Sequence, residues 1–191
     1  MNEDGGCAVI LLLMSCFSAG TSTGPLTLAA CSGTVATPLD SSADCDLCDG
    51  GCVQNIEPTS RNHETGDIVY DDPPPTGGDH SPCWTDWGVH TEEVGDEHWV
   101  HNMEHGGVIF LYNCPDGCDD QVSAMAAYVT SLGPTAVMTP YSEMPYTYAT
   151  TSWGWRLLLN CFDLEAMQTF YKAHVGQGPE SSTSAPPDGC M

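Results

Sequence analysis

The chemistry-bearing residues of this chain gather in one stretch, His98-Trp99-Val100-His101-Asn102-Met103-Glu104-His105-Gly106-Gly107, with further imidazoles upstream at His63, His80 and His90. Of seven histidines only His174 lies outside residues 63–105. Neutral imidazole is the commonest ligand for zinc and copper, and several rings reaching one point supply nitrogen donors without charge repulsion. On a helix His101 and His105 would share a face, four residues apart. Glu104 between them serves either as a ligand or as a carboxylate that orients a ring N–H. Met103 adds a thioether, a donor that favours copper(I) but that more often belongs to a core. The bland alternative is a set of buried rings bonded to backbone carbonyls, bracing the loop before the strand at residue 108.

His101-x-x-Glu104-His105 matches the His-x-x-Glu-His pattern of the inverted zinc proteases, in which the glutamate is a general base. Gly106-Gly107 follow at once, leaving little room for the long helix of such enzymes, so metal binding without proteolysis is the better use of these residues. Upstream, Tyr70-x-x-Pro73-Pro74-x-x-Gly77-x-x-His80-x-Pro82-x-Trp84-x-x-x-Gly88 reads as a rigid turn that delivers His80 beside an aromatic wall. Together with His101-x-x-Glu104-His105-Gly106-Gly107-Val108, Met144-Pro145, Thr151-Ser152-Trp153-Gly154 and Phe162-Asp163, this resembles a bacterial family of exported or membrane-attached proteins catalogued as domain of unknown function 3105. The likeness runs over residues 63–174. It implies that His63, His80, His101, Glu104 and His105 occupy family motif positions, whereas His90 and His98 are peculiar to this chain. It carries no established activity. Trp84, Trp87, Trp99, Trp153 and Trp155 serve as core and rim aromatics, or as walls of a ligand pocket.

Eleven cysteines point to an oxidising compartment. The apolar run at residues 8–17 is too short to span a bilayer and stands where the core of a signal peptide belongs, although Asn2-Glu3-Asp4 before it is acidic. Leu28-Ala29-Ala30-Cys31 resembles a lipobox, so Cys31 is expected to carry a lipid and to attach the chain to a membrane. Eight cysteines then remain, an even number that suits up to four disulfides of open connectivity. Cys45-x-x-Cys48-x-x-x-Cys52 can hold zinc on paper, but a disulfide-clamped linker is the simpler reading. Three basic residues stand against 26 acidic ones, a formal net charge of -23. Such a surface repels phosphate backbones and attracts cations, which excludes nucleic acid as a partner.

The elements that must position these residues follow from local pattern. Residues 1–30 read as a signal peptide, 31–60 as a Cys-containing polar linker, 61–176 as one globular domain and 177–191 as a flexible tail. Strands are expected at residues 67–70, 108–112, 136–138, 146–152 and 155–159. Helices are expected at 121–132, capped by Asp119-Asp120, and at 164–175, capped by Asp163. The expected fold is α+β, a small mixed sheet with two helices, thioredoxin-like in the order of its C-terminal half. Cys114 and Cys118 stand there where redox cysteines would, though at a wider spacing, and Pro145 where such folds keep a cis-proline. Two expectations follow, the second set against its rivals. The protein is extracellular or held in the cell envelope. It binds copper or zinc through His80, His101 and His105, with Glu104 as ligand or support and His63 as a possible fourth donor. The rivals are an enzyme, either a hydrolase with Glu104 as base or a thiol oxidoreductase using Cys114 and Cys118, and a non-catalytic structural envelope protein.

Overall fold

The computed structural model describes residues 45–181. Residues 1–44, with the expected signal peptide and with Cys31, which is expected to carry a lipid, and the last ten residues lie outside the described residues. The architecture is α+β, a mixed six-stranded sheet with helices on both faces. Its elements are β1 (Cys52–Asn55), β2 (Gly88–Val89), α1 (Asp96–Glu104), β3 (Val108–Tyr112), α2 (Asp119–Leu132), β4 (Ala136–Pro140), β5 (Tyr148–Ser152), β6 (Trp155–Leu159) and α3 (Leu164–His174). The strand order is β1-β6-β5-β3-β4-β2; β4 runs parallel to β3 and to β2, while β5 is antiparallel to both β3 and β6.

β3 shows why the sheet is covered twice. Its run Val-Ile-Phe-Leu is buried throughout, and side chains alternate between faces along a strand. Ile109 and Leu111 pack with Val137, Ala149 and Leu158 against Trp99, Val100 and Met103 of α1. Val108 and Phe110 pack with Met138, Leu157 and Leu159 against Met125 and Val129 of α2 and Met167 and Phe170 of α3. The helix that carries the histidines therefore has one face of the sheet, and the other two helices share the opposite face. α3 starts as its sequence dictates, with the Asp163 carboxylate accepting from the Ala166 N–H at 2.9 Å.

Four departures from the sequence expectations matter. Among the described residues there are three helices rather than two, because residues 96–104 form α1. No strand forms at residues 67–70, which have no regular structure and lead into the proline turn. The cis peptide bond joins Pro73 to Pro74, and Met144–Pro145 is trans. The stretch read as a polar linker contributes β1, antiparallel to β6 at the sheet edge.

The cysteines of that stretch are not free to hold zinc. Cys45 bonds Cys52, and Cys48 reaches across 113 residues to Cys161. Cys114 bonds Cys118, and Cys83 is disulfide-bonded as well. This density of bridges indicates an oxidising, extracytoplasmic environment. Among the described residues no helix is long and apolar enough to cross a membrane. A bridge closing a loop on the order of 100 residues stabilises by about 4 to 5 kcal/mol in the chain-entropy account. Replacing Cys48 and Cys161 together by alanine is therefore expected to lower the urea-unfolding free energy by about 4 kcal/mol. A loss below about 1 kcal/mol would show that β1 docks without its tether.

Candidate metal centre

The turn that delivers His80 is built on a buried cation. Arg156, in β6, is 4% exposed, and its guanidinium donates to the carbonyls of Asp72 (2.9 Å) and Pro74 (3.0 Å) and to the Asp72 carboxylate (2.7 Å). The Thr151 hydroxyl donates to the Pro75 carbonyl at 2.8 Å. The prolines are thereby fixed to the sheet, and the chain emerges through Gly77 and Gly78, both at positive φ, into Asp79 and His80. The Tyr70 hydroxyl holds the Asp79 carbonyl at 2.6 Å. Residue 63 bridges to residue 80 in parallel, with the Glu64 N–H on the His80 carbonyl, which lays His63 alongside His80.

From His80 the chain runs along α1 and is fastened to it by side chains. The His101 ring bonds the Ser81 carbonyl through Nδ1 (2.8 Å), and the His98 ring bonds the Cys83 carbonyl through Nδ1 (2.7 Å). The Asn102 amide exchanges two bonds with the backbone of Thr85, and the Ser81 N–H donates to the Glu97 carbonyl. At the first residue of α1, buried Asp96 accepts from the Tyr141 hydroxyl at 2.9 Å; burial, more than the neighbouring Glu97 and Glu143, pushes its carboxyl up to about 6. The other end of α1 closes at Gly106, where φ is +86°, and at Gly107, where a Cβ would lie 2.6 Å from Trp87. Residues 176–181 strap this end. The Glu180 N–H bonds the Glu104 carbonyl, and Gly178 lies against that carbonyl too closely for a side chain.

The result is a convergence of acceptors. A carbonyl can only accept, so Nδ1 of His80 donates to Gly78 O (2.8 Å), Nδ1 of His101 to Ser81 O, and Nδ1 of His105 to Glu180 O (3.1 Å). The neutral tautomer that remains has its lone pair on Nε2 in all three rings. Those nitrogens do not point apart. Nε2 of His80 lies 3.0 Å from Glu104 Oε2, and Nε2 of His101 lies 3.1 Å from Nε2 of His105. His63 Nε2 is 3.8 Å from the same carboxylate oxygen. One donor atom each from His63, His80, His101 and Glu104 lies within 4.8 Å of every other, a group able to hold a metal ion; Glu104, His105 and Glu180 form a second such group. Around a tetrahedral ion with bonds of about 2.0–2.2 Å, donor atoms stand roughly 3.3–3.6 Å apart, so modest closure completes the shell.

Two contacts in this cluster set acceptor against acceptor, and only a proton or a metal cation relieves them. Protons are resisted at His101, whose pKa falls from 6.5 to about 4, chiefly through burial and then through His80, with His105 and His63 adding to it. Burial likewise lowers His105, against the opposing pull of Glu104 and Glu180. Glu104 is 2% exposed, and the nearest fixed cation is the Arg61 guanidinium, 3.9 Å away and more than half exposed. The C-terminal pole of α1 adds negative potential at the same place. Trp84 stands edge-on to His101 and His105, with centroids 5.0 and 4.2 Å away, and Trp153 lies 6.1 Å from His80. Half-exposed His63 and Arg61 form the mouth.

The sequence candidates thus divide. His80, His101, Glu104 and His63 come together, and His105 adjoins them through His101 and Glu104. His90 is elsewhere, bonded to the Asp86 carbonyl. Met103 is buried in the core under the sheet and gives no support to a thioether ligand. Arg61 and Glu180 were not foreseen. Arg61 had a signal, being one of three basic residues and two positions from His63; Glu180 sits in a Ser/Pro/Gly-rich stretch with none.

Residues 62–187, from just before His63 to beyond Glu180, match the family model described as protein of unknown function (DUF3105). Neither the curated proteins nor the solved structures contain a match.

In the metal-free protein the His101 ring is expected to titrate by NMR with a midpoint about 4; a midpoint near 6.5 would contradict the burial described here. The sign for stability follows. The unfolded ring takes up a proton near 6.5 and the folded one only near 4, so this residue's contribution is complete above 6.5 and is lost as the pH falls towards 4.

Proposed function

Since the chain belongs to the DUF3105 family, whose membership carries no activity, we propose from the site alone that the protein binds a transition metal, copper or zinc, through His63, His80, His101 and Glu104. His105 stands next to that shell as a further nitrogen donor. The single observation that carries the reading is the pairing of each Nδ1–H of His80, His101 and His105 with a backbone carbonyl, which leaves Nε2 of His80 on the Glu104 carboxylate and Nε2 of His101 and His105 on each other. Ligating histidines characteristically donate their other N–H in this way, which fixes the tautomer and the ring orientation. A set of imidazoles with one carboxylate suits zinc or copper(II) better than magnesium or calcium.

The biological role that fits is handling or buffering of metal outside the cytoplasm by an exported, lipid-anchored protein. The disulfides are compatible with that compartment, and a chain of net charge -23 concentrates cations around itself. Hydrolysis with Glu104 as general base is the weaker use of the same residues. With Oε2 3.0 Å from His80 Nε2, the carboxylate stands among the donors rather than beside a water they would hold.

Chelator-stripped protein titrated calorimetrically with zinc or copper(II) is expected to bind one equivalent per chain. His63→Ala removes an exposed ring with little risk to folding and is expected to weaken binding at least tenfold; His80→Ala with His101→Ala is expected to abolish it, and His90→Ala to leave it unchanged. Stoichiometric binding that survives the double substitution in folded protein would defeat the proposal.

A further inference from the structure

The cysteine pair at the start of α2 is placed as a reactive group rather than as a staple. Cys114 and Cys118 are only four positions apart. A bridge closing so short a loop constrains the unfolded chain far less than the Cys48–Cys161 bridge, whose ends are 113 residues apart. The loop is already closed by a turn, with the Gly117 N–H on the Cys114 carbonyl at 3.0 Å and Gly117 at φ +93°. Both cysteines are partly buried against the core beneath α2, whereas Cys45, Cys48 and Cys161 are exposed, so the pair is set apart by its short loop and its cavity and not by access.

The pair also faces an open cavity. A space of about 480 Å³ is lined by Asn113, Cys114, Cys118, Met144, Pro145 and Tyr146, among others. Asn113 fixes the two walls relative to each other. Its amide donates to the Met144 carbonyl at 2.9 Å and the Ser142 carbonyl at 3.3 Å, while its backbone N–H donates to the Thr147 carbonyl at 2.9 Å. One wall is thus the disulfide and the other the bent segment 144–147, which carries the Tyr146 ring.

The two sulfurs are inequivalent. Cys118 is the N-cap of α2, next to backbone N–H groups that have no partner within the helix. Those groups favour a thiolate on Cys118, which makes it the better leaving group. Asp116 lines the cavity, Asp119 and Asp120 follow Cys118 directly in the chain, and the whole chain has three basic residues. An anionic thiol is repelled from this rim and a cationic peptide is drawn to it.

We propose that Cys114–Cys118 is a thiol–disulfide exchange site, independent of the metal centre, whose substrate is the dithiol of a positively charged extended peptide. A substrate thiolate attacks Cys114 Sγ. The Cys114–Cys118 bond breaks, and its electron pair leaves on Cys118 Sγ, which takes a proton from water. The second substrate thiolate then attacks its own sulfur in the mixed disulfide and expels Cys114 as a thiolate, which is protonated in turn. The peptide loses two electrons and two protons and becomes a disulfide; the cysteine pair gains both and becomes a dithiol.

The test offers the full oxidised chain a reduced two-cysteine peptide flanked by lysines, then alkylates and maps the cysteines by mass spectrometry. The label is expected on Cys114 and Cys118, with the Cys45–Cys52 and Cys48–Cys161 bridges intact and one equivalent of peptide oxidised. The rate is expected to saturate with peptide and to exceed, at least tenfold, that of an isolated disulfide peptide of residues 113–119. A glutamate-flanked peptide is expected to react at least tenfold more slowly at low salt, the gap closing near 1 M salt. The Cys118→Ser variant, which keeps Cys114, is expected to accumulate a one-to-one mixed disulfide when given the oxidised peptide. Label spread over the other bridges, a rate that is linear in peptide and no faster than that of the isolated loop, or indifference to the sign of the peptide's charge would overturn the assignment.

Discussion

A backbone carbonyl accepts a proton-bearing nitrogen and nothing else, and that constraint organises the site. Gly78, Ser81 and Glu180 each present a carbonyl to one face of an imidazole, so the lone pairs of His80, His101 and His105 have only the inward side left. In water such lone pairs would find donors. Here they find one another and a buried carboxylate. Burial makes protonation at His101 costly, so a bound cation would relieve the facing acceptors.

Much of the surrounding structure exists to hold those carbonyls still. Arg156 anchors the proline turn that presents Gly78. Asn102 and His98 lay residues 81–85 against α1, and Asp96 with Tyr141 fixes where that helix begins. Residues 176–181 bring the Glu180 carbonyl to His105. The arrangement is distributed over four separated stretches of chain, so no short peptide from this protein reproduces it. α1 lies on one face of the sheet, while α2, which the Cys114–Cys118 pair introduces, lies on the other.

How much of this was legible in the sequence varied with the physics of each element. β3, a continuous apolar run, could be read directly, and so could β6, apolar but for Arg156, and α3, whose cap and apolar spacing agree. α1 could not. Buried residues line its length from Asp96 to Glu104, so it shows no clear apolar stripe, and Gly106-Gly107 follow like a turn. Packing against the sheet and bonds to residues 81–85 decide its conformation, neither of which a local pattern contains. β1 was hidden in a polar, cysteine-rich stretch because its place is fixed by a bridge to Cys161. The histidine cluster was visible as composition, and His63, His80, His101, Glu104 and His105 as motif positions. What spacing alone does not reveal is the pairing between residues 63 and 80 that lays His63 alongside His80.

The most direct test of the account is X-ray absorption fine structure at the metal edge of protein loaded with one equivalent of zinc. The account predicts a first shell of imidazole nitrogens and one carboxylate oxygen at about 2.0–2.2 Å, with the outer-shell scattering of histidine rings. A shell of oxygen donors alone, without ring scattering, would show that zinc sits on the acidic surface and that the converging imidazoles serve only to brace the chain.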